Sequence, residues 1–140
     1  MTSNLQGDVA TFFDDFVDVF ASFNGGRIAQ RYAVPYLAIR ADSTSELFSS
    51  AAAIGAYFQG IVDDYYRQGC RSCRYRDLQV VPMGSMSALG TVTWELLRAD
   101  SSVLIAWRES YHLAYVDGRL LAFVSVDHAE KGQAEKGQAE

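Results

Sequence analysis

Lysine, cysteine, proline and long apolar runs are all scarce in this sequence, and each shortage closes off a class of protein. The two cysteines, Cys70 and Cys73, are too few for a disulfide framework. The two prolines exclude a collagen-like repeat. No apolar run approaches the roughly 20 residues that a membrane helix needs, so no membrane partner is expected. Positive charge is short as well. Twelve basic residues stand against seventeen acidic ones, a formal net charge of -5, which is a poor balance for gripping phosphates. No nucleic-acid partner is expected. The N-terminus lacks the basic, apolar and small-residue order of a signal peptide, so the expected compartment is the cytoplasm. A Gly-rich phosphate loop, a Gly-x-Ser-x-Gly elbow and a His-Glu-x-x-His pair are also missing.

What the chain does have is apolar and aromatic content, 49% and 13% of its 140 residues. That supports one core and one domain, and argues against a disordered chain or a two-domain enzyme. The domain is expected over residues 1–128. Residues 129–140 repeat Glu-Lys-Gly-Gln-Ala, hold both lysines and carry no large apolar side chain. Such a stretch cannot repay its ordering entropy and reads as a solvated tail.

Periodicity divides the domain into helices first and strands after. Val9, Phe12, Phe13, Phe16, Phe20 and Phe23 make one helical stripe, with Asp8 as the expected N-cap and Asn24-Gly25-Gly26 as the stop. A short helix is expected over 26–32, then a strand over 34–41. Ser49 or Ser50 caps a second long helix with the stripe Ile54, Tyr57, Phe58, Ile61, Val62 and Tyr65, ended by Gly69. The period then changes to two, giving strands near 72–81, 88–98, 103–116 and 119–128. Asp117-Gly118 is a strong hairpin signal, because a tight primed turn needs positive φ. The class is α+β.

Hairpin arithmetic assigns faces. Pairing Val116 with Arg119 sets Leu113 opposite Ala122, Glu109 opposite Val126, Arg108 opposite Asp127 and Trp107 opposite His128. The greasier face then carries Trp107, Glu109, Tyr111, Val124, Val126 and His128, joined by Val92 and Trp94. The opposite face carries Thr91, Thr93, Arg108, His112, Leu121, Phe123, Ser125 and Asp127. A one-residue bulge exchanges the sets beyond it.

Glu109 stands out, since burying a lone carboxylate on the inner face is costly. His128 falls diagonal to it, within reach of a long side chain. This pair is the candidate catalytic acid and base, a step that needs no cofactor. A structural Glu109, hydrogen-bonded to a tyrosine or the backbone, is the other reading. Tyr32, Tyr36, Tyr57, Trp94, Trp107 and Tyr111 have the composition of a pocket for a small apolar or aromatic metabolite, and equally of ordinary core. Leu121 and Phe123 beside Thr91 and Thr93 suggest a homodimer through the outer sheet face. Cys70 and Cys73 have Cys-x-x-Cys spacing, with Arg67, Arg71, Arg74 and Arg76 around them to favour thiolate. A zinc site would need two more ligands.

The element order, with Thr91-Val92-Thr93-Trp94-Glu95, Trp107-Arg108-Glu109-Ser110-Tyr111 and Val116-Asp117-Gly118-Arg119, resembles the nuclear transport factor 2-like superfamily. Within it, the nearest likeness is to the polyketide-cyclase-like and ketosteroid-isomerase-like branch. The resemblance covers about residues 8–128. It implies a cone-shaped, curved antiparallel sheet wrapped around the N-terminal helices, a cystatin-like α+β barrel with an apolar pocket, and frequently a homodimer. The isomerases of that branch use a tyrosine on the first helix and an aspartate after the first strand. Here the first helix has phenylalanines and no tyrosine, and the first strand has no carboxylate before Asp42 in the following loop. No catalytic residue carries over from that branch. The resulting expectation is a small-molecule-binding domain, with cofactor-independent acid-base chemistry of isomerase, cyclase or dehydratase type. The alternative is a dimerisation or adaptor module whose pocket is filled by side chains.

Overall fold

The computed structural model describes residues 4–129, so the expected tail lies, from residue 130 on, outside the described residues. Helix α1 spans Leu5–Phe20 and begins earlier than expected: the cap is Asn4, whose Oδ1 accepts from the Gly7 N–H at 3.1 Å. Asp8 sits instead in the first turn, where a negative charge suits the helix N-terminus. Asn24 caps α2, Gly25–Ala29, by accepting from the Arg27 N–H at 3.1 Å. Helix α1 ends at Phe20 with Ala21 as its C-cap, before the expected stop, and the Asn-Gly-Gly stretch opens α2 instead. Ser50 caps α3, Ala51–Arg67, and Gly69 follows with φ +108°.

Strand β1 is Tyr32–Ile39 and β2 is Ser45–Phe48. Strands β3 (Ser72–Met83), β4 (Ser87–Leu97), β5 (Val103–Val116) and β6 (Arg119–Asp127) form the expected meander. The sheet order is β2-β1-β6-β5-β4-β3, with β1 parallel to β6 and the other pairs antiparallel. Strand β2 is an addition to the sequence reading. It has four residues and buries only Phe48, too little for a period of two to declare itself.

Helix α1 lies on one face of the sheet, with Val9, Phe12, Phe13, Phe16 and Phe20 buried. A methyl group on Gly90 of β4 would stand 3.0 Å from the Phe13 ring, so glycine lets the helix seat closely there. The α2–α3 contact is tighter. A Cβ on Gly25 would meet the Gly55 carbonyl oxygen at 2.3 Å, which only glycine avoids. Gln59 clamps the junction, accepting from the Gly25 N–H at 2.7 Å and donating to the Phe23 carbonyl at 3.1 Å.

One shift changes the site. The β5–β6 register holds from Val116↔Arg119 to Leu113↔Ala122, then jumps to His112↔Val124 and continues to Glu109↔Asp127. Phe123 is the extra residue. Glu109 is therefore opposite Asp127, where Val126 was expected, and Arg108 does not pair with Asp127. Beyond the bulge, Ser125 and Asp127 turn inward, while Val126 and His128 turn outward. The neighbouring strand is irregular at the same level, between Tyr32↔Ala122 and Leu37↔Val124. Pro35, with no N–H to give a ladder, lies within that stretch of β1. Bulge and proline together bend the sheet where it must curve around the helices.

Candidate functional site

The inner face of the sheet and the three helices enclose a cavity of about 80 Å³. An apolar cavity that holds benzene measures about 150 Å³, so this one takes a smaller body. Tyr32, Tyr36, Tyr57, Trp94, Trp107 and Tyr111 all line it, together with Glu109. His128 does not. Its Nε2 lies 2.7 Å from Ser110 Oγ, which lies 2.7 Å from Thr91 Oγ1, a chain on the outer face. The Phe123 bulge reverses the end of β6, so His128 stands on the outer face and not, as expected, on the cavity wall with Glu109. Asp127 lines the cavity in its place.

The polar groups are set among rings. The indole Nε1 of Trp107 donates to Glu109 Oε1 at 2.9 Å, and that of Trp94 donates to the Tyr111 hydroxyl at 2.8 Å. Tyr36 and Ser125 share a buried hydroxyl–hydroxyl bond of 2.5 Å. Tyr32, 5% exposed, makes no hydrogen bond through its hydroxyl among the described residues. Burial pushes the Tyr32 phenol well up, and the nearby Tyr36, Glu109, Tyr57 and Asp127 push the same way. Tyr36 and Tyr111 are raised by burial first and by the Glu109 charge second. All three therefore stay protonated at any physiological pH. Arg40 also borders the cavity, with its Nη2 2.8 Å from Glu46 Oε1 and its guanidinium 5.7 Å from the centre of the Tyr57 ring.

This arrangement can hold a compact apolar group and present it to two carboxylates and a phenol. A carboxylate accepts a proton or a hydrogen bond, and a protonated phenol donates one or accepts through its oxygen. Asp127 and Ser125 are site residues that the sequence reading missed. Alternation within 119–128 gives no sign of the bulge, since apolar residues run unbroken from Leu120 to Val124.

Other candidates stand apart. Cys70 and Cys73 are both buried and free. Burial raises the Cys70 thiol, and it pushes the Cys73 thiol up to about 12, the opposite of the thiolate expected from nearby arginines. Arg74 Nε and Arg76 Nε instead hold Glu95, at 2.6 Å and 3.1 Å. Arg71 stacks its guanidinium 3.6 Å from the centre of the Tyr66 ring. Among the described residues no group of three or more His, Cys, Asp or Glu side chains is placed to hold a metal ion. None of their helices is long and apolar enough to cross a membrane.

No curated protein matches the sequence. Solved structures do match the fold. A domain of unknown function with a cystatin-like fold from Nostoc punctiforme has a TM-score of 0.73 at 14% identity, covering 97% of this chain and 83% of that one. An NTF2-like protein with a cystatin-like fold from Novosphingobium aromaticivorans has a TM-score of 0.73 at 12% identity, covering 96% and 86%. Aln2 from a Streptomyces species has a TM-score of 0.70 at 16% identity, covering 91% and 92%. A family model described as "NTF2-like protein (DUF6841)" matches residues 7–130. With that match running through both helical stripes and the whole meander, the chain belongs to the nuclear transport factor 2-like DUF6841 family.

Proposed function

We propose that this domain binds a small organic ligand whose compact apolar part enters the aromatic cavity, and that Glu109 orients it or exchanges a proton with it. The observation that carries this reading is the cross-strand placement of Glu109 and Asp127 on the wall of a cavity lined mainly by aromatic and aliphatic side chains. Ionisable groups on a cavity wall are frequent in binding and catalytic sites, and Glu109 is held in place there by the Trp107 indole at 2.9 Å. Chemistry of isomerase, cyclase or dehydratase kind then needs a base, Glu109 or Asp127, and a hydrogen-bond donor to the developing negative charge, a role open to the protonated Tyr32 hydroxyl. The test is a thermal-shift screen of small metabolites with compact aliphatic groups, repeated on Ala38→Leu, which fills the cavity from β1. Hits that raise the midpoint of the native protein and not of the filled variant support the reading. Hits that stabilise both equally, or no hits at all, count against it.

A second reading, a homodimerisation module, rests on the outer face. Val81↔Leu89, Leu89↔His112 and His112↔Val124 form a row across four strands, with Val81 54% and Leu89 36% exposed. Leu121 is buried, and Phe123 lies 6.3 Å from the His112 ring. Thr91 bonds Ser110, and Thr93 accepts from Arg108 Nη1 at 3.0 Å. An apolar row bordered by satisfied polar groups suits a two-fold interface. Light scattering that gives a monomer mass over a wide concentration range counts against it.

A further inference from the structure

A second cleft, of about 210 Å³, lies outside the aromatic cavity, between the first three turns of α1, the join of α2 to β1 and the β5–β6 hairpin. Helical spacing builds one wall: Asp8, Thr11 and Asp15 stand three and four residues apart and so share a face of α1. Arg31 comes from the α2–β1 join. Arg119 comes from the hairpin, where Asp117 and Gly118 both take positive φ and β6 starts directly after them. We infer that this cleft binds a small zwitterionic amino acid, with its carboxylate on Arg31 and Arg119 and its ammonium on Asp15.

The first support is the state of Arg31. Its Nη2 donates to the Phe12 carbonyl at 3.1 Å, and its guanidinium lies 4.6 Å from the centre of the Phe12 ring. Its Nε, shielded from solvent, has no acceptor among the described residues. A buried donor without an acceptor costs free energy, so the bonds Arg31 makes to the protein do not account for its position. A guanidinium fixed against a ring offers its remaining N–H groups to a carboxylate in one set plane. Burial lowers the Arg31 guanidinium, Asp15 raises it and Arg119 lowers it again, so both neighbours act across the same small space.

The second support is the balance of charge. Arg31 and Arg119 face Asp8 and Asp15 across the cleft, and Asp8 accepts from the Tyr115 hydroxyl. Among the described residues neither arginine forms an ion pair with either carboxylate. A simple anion would meet the two aspartates here, and a simple cation the two arginines. A zwitterion answers both signs at once and brings no net charge. Size agrees. A pocket of about 150 Å³ holds benzene, so this one has room for a body roughly a third larger, such as valine. Phe12 and Leu120, buried beneath the same cleft, give its side chain apolar surface.

The test uses three probes of one carbon skeleton at neutral pH and constant ionic strength. They are valine, 3-methylbutanoate, which lacks the ammonium, and isobutylammonium, which lacks the carboxylate. Binding is read from the Arg31 Nε–H and Gly118 amide signals in two-dimensional NMR, both of which belong to the cleft. The expected result is saturable binding of valine, about tenfold tighter than either singly charged probe. Arg119→Gln should bring valine down to the level of isobutylammonium, and Asp15→Asn down to that of 3-methylbutanoate. Both side chains are exposed, so the variants keep the fold, and a native-like spectrum certifies each. Valine binding should also survive Ala38→Leu, which fills the aromatic cavity and leaves this cleft untouched. Equal or tighter binding of a singly charged probe overturns the inference, as does no saturable shift with valine. So does valine binding that ignores both Arg119→Gln and Asp15→Asn, or that disappears in Ala38→Leu and so belongs to the aromatic cavity.

Discussion

The core has two halves made of the same kind of side chain, one packed and one hollow. Around α1, Phe13 meets Tyr111 at 5.4 Å, Tyr75 at 5.7 Å and Trp94 at 6.0 Å between ring centres, with Gly90 letting the helix seat closely. Around α3, Tyr32 meets Tyr36 at 4.5 Å and Phe58 at 4.8 Å, yet the group as a whole leaves a cavity. Ring-to-ring spacing is no looser in the second half. The difference lies in what holds the helix off the sheet. Helix α1 rests on the strands directly, whereas α3 is braced by α2 through Gly25 and Gln59. Aromatic composition therefore does not decide between core and cavity; the support of the covering helix does.

The sharpest way to break this comparison is to empty the packed half. Phe13→Ala should cost about 3–5 kcal/mol in urea unfolding, because the ring is fully enclosed. Phe58→Ala, beside the cavity and half-buried, should cost about half as much or less. Equal losses would mean that the halves pack alike.

Thiol labelling asks whether the hollow half is wet. Cys73 lines the cavity, and burial pushes its thiol up to about 12 from an ordinary value of 9.0. At a pH near 8 its native-state alkylation should be about a thousandfold slower than that of an unfolded cysteine. Labelling at the unfolded rate would show a cavity flooded with water.

The bracing junction comes next. Gly25→Ala forces a methyl group against the Gly55 carbonyl oxygen and should destabilise by about 2–3 kcal/mol. A neutral result would mean that α2 and α3 slide freely and do not fix the cavity. Tyr36→Phe removes the bond to Ser125 in the hollow half and should cost about 1–2 kcal/mol by urea titration.

The smallest effect is on the outer face. Arg74 and Arg76 lower the Glu95 carboxyl, so the stabilisation is present above the ordinary carboxylate range and fades as pH falls through the lowered value. Glu95→Gln should cost below about 1 kcal/mol at neutral pH and nothing near a pH of about 2, by urea titration at each pH. A loss that persists in acid would assign Glu95 a packing role instead.

Much of this was legible in the chain. The three-and-four spacing of Phe12, Phe13, Phe16 and Phe20 marks the buried stripe of α1, and the Ser50 cap and Gly69 bound α3. Asp117-Gly118 sets the hairpin, and Trp94 and Trp107 stand opposite one another on the inward face expected of both. The cavity-lining tyrosines and tryptophans and Glu109 were also on the page, because local periodicity reports which face each residue takes. The partner of Glu109 was not. His128 and Asp127 exchange faces through one extra residue, and neither Phe123 nor its neighbours announce it.

What the sequence determined by itself is the set of elements apart from β2, their order and the inward face of β4 and β5, all fixed by side-chain period and by turn and cap chemistry within a few residues. Tertiary structure alone decided the parallel pairing of β1 with β6, the β2 edge, the Phe123 bulge and with it the placement of Asp127 opposite Glu109 on the cavity wall. Those features depend on closing a bent sheet beside Pro35 and on how far Gly25 lets α2 brace α3. Both are contacts between residues distant in the chain, where no local pattern records the energy that selects them.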